Sequence, residues 1–282
     1  MLFFQIGYEL QKKKCSDVVY GAAEQFISEA KFNEQLNGRY ILQNLPRYLV
    51  NGYGTNLYYA APADWEDETR TDFVGYIPRH SSTNAMLIQG VKEGEDPLLT
   101  SCWTMAGPPM TTVAVPLLLT PNGLLPRKVV ADEGQAWLCE KGQQLKTLIF
   151  PYEDNATKAI DLSKLYNREE TGLMQRIVTI EEEILDRGTA MIDEAREAGA
   201  MSETVLHSYY TWLDDYIEQQ YAYNFENVLT RDPIIRQQAS QPMILWDVLG
   251  RRVKNPSAYK GLVIGEGGIY ISRPAGIASA GR

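Results

Sequence analysis

"LLTSCWTMAGPPMTTVAVPLLL" occupies residues 98–119, and its reading decides that of the chain around it. Its two halves, "LTSCWTMA" and "TTVAVPLLL", are rich in apolar and β-branched residues, and Gly107, Pro108 and Pro109 stand between them as a turn. "STNAMLIQGV" precedes them, and "KEGEDP" and "TPNG" mark the boundaries, so residues 73–130 read as an antiparallel sheet segment at the structural centre of the chain. Proline donates no hydrogen bond to a ladder, which puts the strand holding Pro116 at an edge or at a bulge. Cys102 alternates through its strand between Ser101 and Trp103 with no charged neighbour to activate it. It reads as a small buried apolar residue and Trp103 as core.

Outward from this centre the period becomes helical. Ser16 or Asp17 caps a helix with Ala23, Phe26, Ile27 and Ala30 on one face and Asn37-Gly38 at its end. A second helix from Arg39 carries Ile41, Leu42, Leu45 and Leu49, with a kink at Pro46 and a close at Asn51-Gly52. Phe4, Ile6 and Tyr8 alternate as an opening strand, and "AAPADWEDETRTD" is an acidic turn-rich loop. Further helices are expected over 137–150, 162–166 and 172–198. In the last of these Leu173, Ile177, Ile180, Ile184 and Met191 form an apolar stripe, and Glu181, Glu182, Glu183 and Asp186 read as a solvated face. Gly199 turns the chain back and Ser202 caps a partner helix striped by Leu206, Tyr210, Leu213, Ile217 and Tyr221. An α+β domain over 1–232 with a C-terminal antiparallel helical pair results, followed over 233–282 by a small strand-like tail.

Composition narrows the function. The chain has 282 residues, 44% of them hydrophobic, enough for an ordinary buried core. Its net charge is −9 and its 27 basic residues are scattered, which argues against a nucleic-acid surface. The longest apolar runs, such as Val113 to Leu119, fall far short of the roughly 18 to 20 residues of a membrane-spanning helix. Residues 1–11 have neither the basic start nor the cleavage site of a signal peptide. Cys15, Cys102 and Cys139 make no disulfide framework, and with only His80 and His207 no metal site is expected. "GEGG" at 265–268 lacks the lysine of a phosphate loop, so no cofactor is expected either. His207 reads as a helix-surface residue without a role. The densest polar cluster beside the sheet is Arg79, His80, Ser81, Ser82, Thr83 and Asn84. No G-x-S-x-G elbow is present, and the favoured reading of these hydroxyls is local bonding to backbone.

"YIPRHSSTNAMLIQGVKEGEDPLLTSCWTMAGPPMTTVAVPL" resembles the C-terminal half of N-terminal nucleophile hydrolases related to penicillin V acylase, conjugated bile acid hydrolase and isopenicillin acyltransferase. "RYILQNLPRYL" upstream and "LYNREETGLMQRI" downstream extend the resemblance over most of residues 20–220. It implies a four-layer αββα sandwich and cleavage or transfer at a linear amide C–N bond. The nucleophile in such enzymes is a cysteine freed at the chain's N-terminus, acting with its own amino group as base. Met1 comes first here and Cys15 does not match, so the nucleophile half is expected to be absent and the chain inactive alone. Of the family's functional residues only Arg79 falls in place, as a guanidinium for a carboxylate or an oxyanion, with Ser81 and Ser82 lining the same pocket edge.

The tail "ILWDVLGRRVKNPSAYKGLVIGEGGIYI" resembles the C-terminal sorting domain of bacterial type IX secretion. That resemblance implies a secreted or periplasmic parent protein. Two readings follow: a linear amide hydrolase or acyltransferase acting on a small-molecule amide, or a non-catalytic exported binding protein. A hydrolase using Ser81 or Cys102 within this chain trails both. Apolar surface left open by an absent half leads to expected self-association.

Overall fold

The central segment forms three antiparallel strands in the order β2–β3–β4: Ala85–Gln89, Ser101–Met105 and Val115–Leu118. They belong to a computed structural model that describes residues 17–131, 134–151 and 159–231, and near the C-terminus the strand residues 246–247, 261–265, 268–273 and 276–279. The expected opening strand at Phe4, Ile6 and Tyr8 lies outside the described residues. Pro116 stands opposite Trp103 on β4, and of the two placements open to that strand the structure takes the edge.

Cross-strand partners sort the sheet into two faces. Leu87, Trp103 and Pro116 share one row and are buried. Helix α5 (Leu173–Ala198) lies on this face at Gly188, where an added Cβ would fall 2.7 Å from Trp103 and 3.2 Å from Pro116. The opposite face carries Met86, Thr104 and Val115 in one row and Ile88, Cys102 and Leu117 in the next. Met86 is 47% exposed and Ile88 39%, whereas Thr104 and Val115 are buried, so this face is open chiefly along β2.

Between β3 and β4 the chain makes no tight hairpin. Residues 107–114 run as a buried loop, and a buried loop must find partners for its peptide groups without a ladder. Side chains from distant elements supply them. Arg47 Nε donates to Pro109 O at 2.8 Å and its Nη2 to Thr112 O at 3.1 Å. Tyr221 Oη donates to Thr111 O at 3.2 Å and accepts from Val113 N at 3.3 Å. Glu181 Oε2 accepts from Ala114 N at 2.7 Å. Arg47 and Glu181 also pair bidentately, at 3.0 and 2.7 Å, with 2% and 0% of their side chains exposed. Helix α3 (Trp137–Ile149) closes over the loop at Gly142, whose carbonyl accepts from Thr111 Oγ1 at 2.8 Å. A Cβ at Gly142 would fall 2.2 Å from Thr112 Oγ1.

Glu181 therefore corrects the solvated-face reading. Helix α5 buries Met174, Leu185, Ile192 and Ala195 beside its expected stripe, and one carboxylate goes inside because a guanidinium and an amide await it. Asn37 is a second correction. Helix α1 (Asp17–Phe32) stops five residues earlier, and Asn37 instead caps α2 (Gly38–Asn44), its Oδ1 accepting from Tyr40 N at 2.9 Å. The buried face of α1 is Val19, Ala22, Phe26 and Ala30, with Ala23 and Ile27 half-buried. Pro46 lies in a 3-10 turn, Leu45–Arg47, that ends the second helix and aims Arg47 inward.

Short strands β1 (Arg70–Asp72) and β5 (Ala159–Asp161) pair antiparallel ahead of α4 (Leu162–Leu165). Helix α6 (Glu203–Arg231) runs antiparallel to α5: Tyr209 Oη donates to Ile184 O and Tyr216 Oη to Ile180 O, at 3.1 and 3.3 Å. Its expected stripe, from Leu206 to Tyr221, is buried. Residues 233–282 form a separate compact unit with a four-stranded antiparallel sheet, β6 (Trp246–Asp247), β7 (Gly261–Gly265), β8 (Gly268–Arg273) and β9 (Gly276–Ser279), in that order. The fold is thus mixed α and β with small antiparallel sheets, and none of its described helices is long and apolar enough to cross a membrane.

Removing one partner of the buried pair strands the other charge and several peptide groups together. Arg47→Ala is expected to cost about 3 to 5 kcal/mol in chemical denaturation. The double replacement Arg47→Met with Glu181→Leu is expected not to restore stability, because Pro109 O, Thr112 O and Ala114 N still lack partners.

Candidate functional site

The turn before β2 holds the residues singled out in the sequence. Ser82 N donates to Arg79 O at 3.0 Å and Ser82 Oγ accepts from Arg79 N at 3.1 Å, so each closes the turn on the other. Arg79 and Ser82 are half-buried and come together here; Ser81 is exposed at the apex. The Ser82 hydroxyl thus does the local backbone bonding expected of such a cluster.

The structure adds Lys146, which sequence spacing did not single out. Its Nζ donates to His80 O at 3.0 Å from the last turn of α3. Burial lowers the Lys146 ammonium from its ordinary range, partly offset by nearby Cys139. The His80 ring stands edge-on to Phe150 at 5.0 Å, and Phe150 meets Phe73, which stacks on Tyr76 at 4.6 Å. Burial lowers the His80 imidazole below its usual value, and the neighbouring Lys146 charge acts in the same direction. Tyr76 is buried, its hydroxyl has no hydrogen-bond partner, and burial followed by the Asp72 charge pushes it up to about 12. Phe73, Tyr76 and Phe150 are all buried, so the aromatic group is core packed beneath the turn, and Lys146 is the cation bonded to it.

No activated nucleophile accompanies it among the described residues. Cys102 is half-buried in the middle strand and burial pushes its thiol up, the opposite of activation. Ser163 is buried with its Oγ donating to Asp161 Oδ1 at 2.6 Å. His207 is exposed on α6. The buried carboxylates are occupied by structure: Asp161 caps α4 and accepts from Thr69 N, and Asp214 accepts from Arg127 N and Lys128 N, both at 2.9 Å. No group of three or more metal-ligating side chains is found among the described residues.

Compared with family models, with curated proteins and with solved structures, the chain matches none.

The lowered His80 value fixes the sign of a pH effect. The unfolded chain binds the imidazole proton more tightly than the folded one, so between the ordinary histidine value and the lower folded one, stability rises with pH. His80→Gln is expected to flatten stability measured from pH 7 down to 5 by urea denaturation, relative to the parent. An unchanged slope contradicts the burial of this ring.

Proposed function

We propose that the chain is part of an amide-bond hydrolase or acyltransferase of the N-terminal nucleophile type, with a small-molecule amide as substrate. The observation that carries this reading is the β2–β3–β4 sheet with two apolar faces. One is packed under α5, and the other presents Met86, Ile88, Cys102 and Leu117 incompletely covered, as one inner layer of an αββα sandwich does. Arg79, Ser81 and Ser82 lie in the turn just before β2, and in this reading the Arg79 guanidinium supports an acyl carboxylate or an oxyanion. Lys146 supports the same role from α3. In this reading a cysteine nucleophile comes from a segment outside the 282 residues and this chain alone is inactive. The tail supports export through its resemblance to a sorting domain, and its four-stranded antiparallel sheet accords with a self-contained appendage. A non-catalytic exported binding protein is the second reading, favoured by the absence of an activated nucleophile among the described residues.

Two experiments test the proposal. The gene product translated from the full open reading frame around these residues is assayed for amine release from penicillin V and from glycine-conjugated bile acids. Hydrolysis that depends on a processed cysteine, and that falls about ten- to a hundredfold in kcat/KM in Arg79→Ala, supports it. An open reading frame with no upstream cysteine, or a product inert on both substrates, leaves the binding protein. The 282-residue chain alone is expected to self-associate with rising concentration in sedimentation velocity, and Ile88→Glu to reduce that association. A monodisperse monomer across the range contradicts the open sheet face.

A further inference from the structure

We propose that the outer edge of β2 is an interface between two copies of this chain, which pair their β2 strands antiparallel about a two-fold axis at Leu87. The proposal does not rest on the amide-hydrolase reading. That reading uses an apolar sheet face, and this one the hydrogen-bonding edge of a single strand.

The two edges of the central sheet are treated differently. On the β4 side Pro116 has no N–H to offer, Leu118 N donates to Tyr210 Oη at 3.1 Å, and Ala114 N just ahead of the strand donates to Glu181 Oε2 at 2.7 Å. Side chains from the helical pair thus close that edge. Strand β2 is the opposite edge, since it pairs with β3 alone. Among the described residues, no hydrogen bond reaches the peptide groups of Ala85–Gln89 from any element but β3. An open row of peptide groups is what strand addition uses, and natural sheets ordinarily blunt it with charge, proline or a bulge. Residues 81–91 hold neither charge nor proline, and the register through Ala85–Gln89 has no bulge.

The strand is its own complement. In an antiparallel pair centred on Leu87, Met86 stands opposite the second copy's Ile88, and Ile88 opposite its Met86. These are the exposed apolar residues of the strand, at 47% and 39%, so pairing sets four apolar side chains together on one face. Leu87 meets its own counterpart on the face under α5. The two-fold axis stands perpendicular to the sheet, and the product is one continuous sheet of about six strands, an ordinary size.

Charge selects the antiparallel arrangement. Lys146 Nζ brings a cation to the turn leading into β2, where it donates to His80 O at 3.0 Å. The turn leaving β2 carries Glu93, Glu95 and Asp96 against Lys92 and Arg196, with Arg196 reaching Glu95 Oε2 at 3.3 Å and Gly90 O at 3.2 Å. His80 and Gly94 are equally far from Leu87 in the chain, so antiparallel pairing brings the lysine end of each copy level with the carboxylate end of the other. A parallel pair would set like ends together.

Cysteine pairs read this register. In the 282-residue chain with its three native cysteines replaced by serine, Met86→Cys and Ile88→Cys are made separately, mixed, and oxidised with copper–phenanthroline. Directly opposed residues lie about 4.5 to 5.5 Å apart at Cα, within disulfide reach, and diagonal neighbours at about 7 to 8 Å lie outside it. The mixture is expected to form covalent dimer at least about tenfold faster than either variant alone. Met86→Cys cross-linking by itself as fast reports a parallel pair, and equally slow cross-linking in all three samples reports no strand pairing; each overturns the proposal. Hydrogen exchange on the parent chain needs no substitution. Amides of residues 85–89 are expected to gain protection as concentration rises through the range where sedimentation velocity shows dimer, and unchanged protection overturns the edge. A dimer that forms only after residues 1–11 are deleted gives the edge to the chain's own N-terminal segment and overturns it too. Association with neither signature leaves the open sheet face of the hydrolase reading in place and removes only the edge pairing.

Discussion

The fold hangs on one buried ion pair. Arg47 and Glu181 meet bidentately inside the domain, and between them they also hold two carbonyls and one amide of the loop joining β3 to β4. Taking two charges out of water is costly, and such a pair often contributes little net stability against an apolar replacement. Here the pair does something an apolar replacement cannot, because the loop it serves has no ladder of its own. Arg47 arrives from the end of the second helix, Glu181 from the middle of α5, and the loop from the central sheet. Three segments distant in sequence are thereby fixed in one arrangement.

Tyrosines extend the same principle along the helical pair. Tyr221 bridges Thr111 and Val113, and Tyr210 Oη accepts from Leu118 N at 3.1 Å at the end of β4. Tyr209 and Tyr216 donate from α6 to carbonyls of α5. Burial holds the Tyr221 phenol protonated far above its ordinary range, so these groups act as neutral hydrogen-bonding struts across the whole accessible pH. The stripe that packs α6 thus also supplies polar partners for an irregular stretch of backbone.

What was legible in the sequence follows periodicity. The strands around Leu87, Trp103 and Val115 and the stripes of α5 and α6 came from period and turn chemistry, while Pro116 left edge and bulge both open until the strand order decided for the edge. Glu181 was not legible because a carboxylate one step off an apolar stripe looks solvated until its partner, 134 residues away, is known. Arg47 was hidden for the same reason, inside a stretch that read only as a kinked helix. Asn37 misled because Asn-Gly serves helix ends and helix starts alike, and only the backbone decides which. At the candidate site, the local backbone bonding that joins Arg79 and Ser82 was legible in a dense polar run next to a strand. Lys146 was not, since its contact with His80 O depends on how α3 folds back across 66 residues.

The most direct test of this account is native-state hydrogen exchange at the β3–β4 loop. If side chains from Arg47, Glu181 and Tyr221 make residues 107–114 part of the core, the amides of Val113 and Ala114 should exchange only through global unfolding, as slowly as those in the middle of α5. Exchange of Val113 and Ala114 at rates ordinary for a loop, while α5 stays protected, would contradict it.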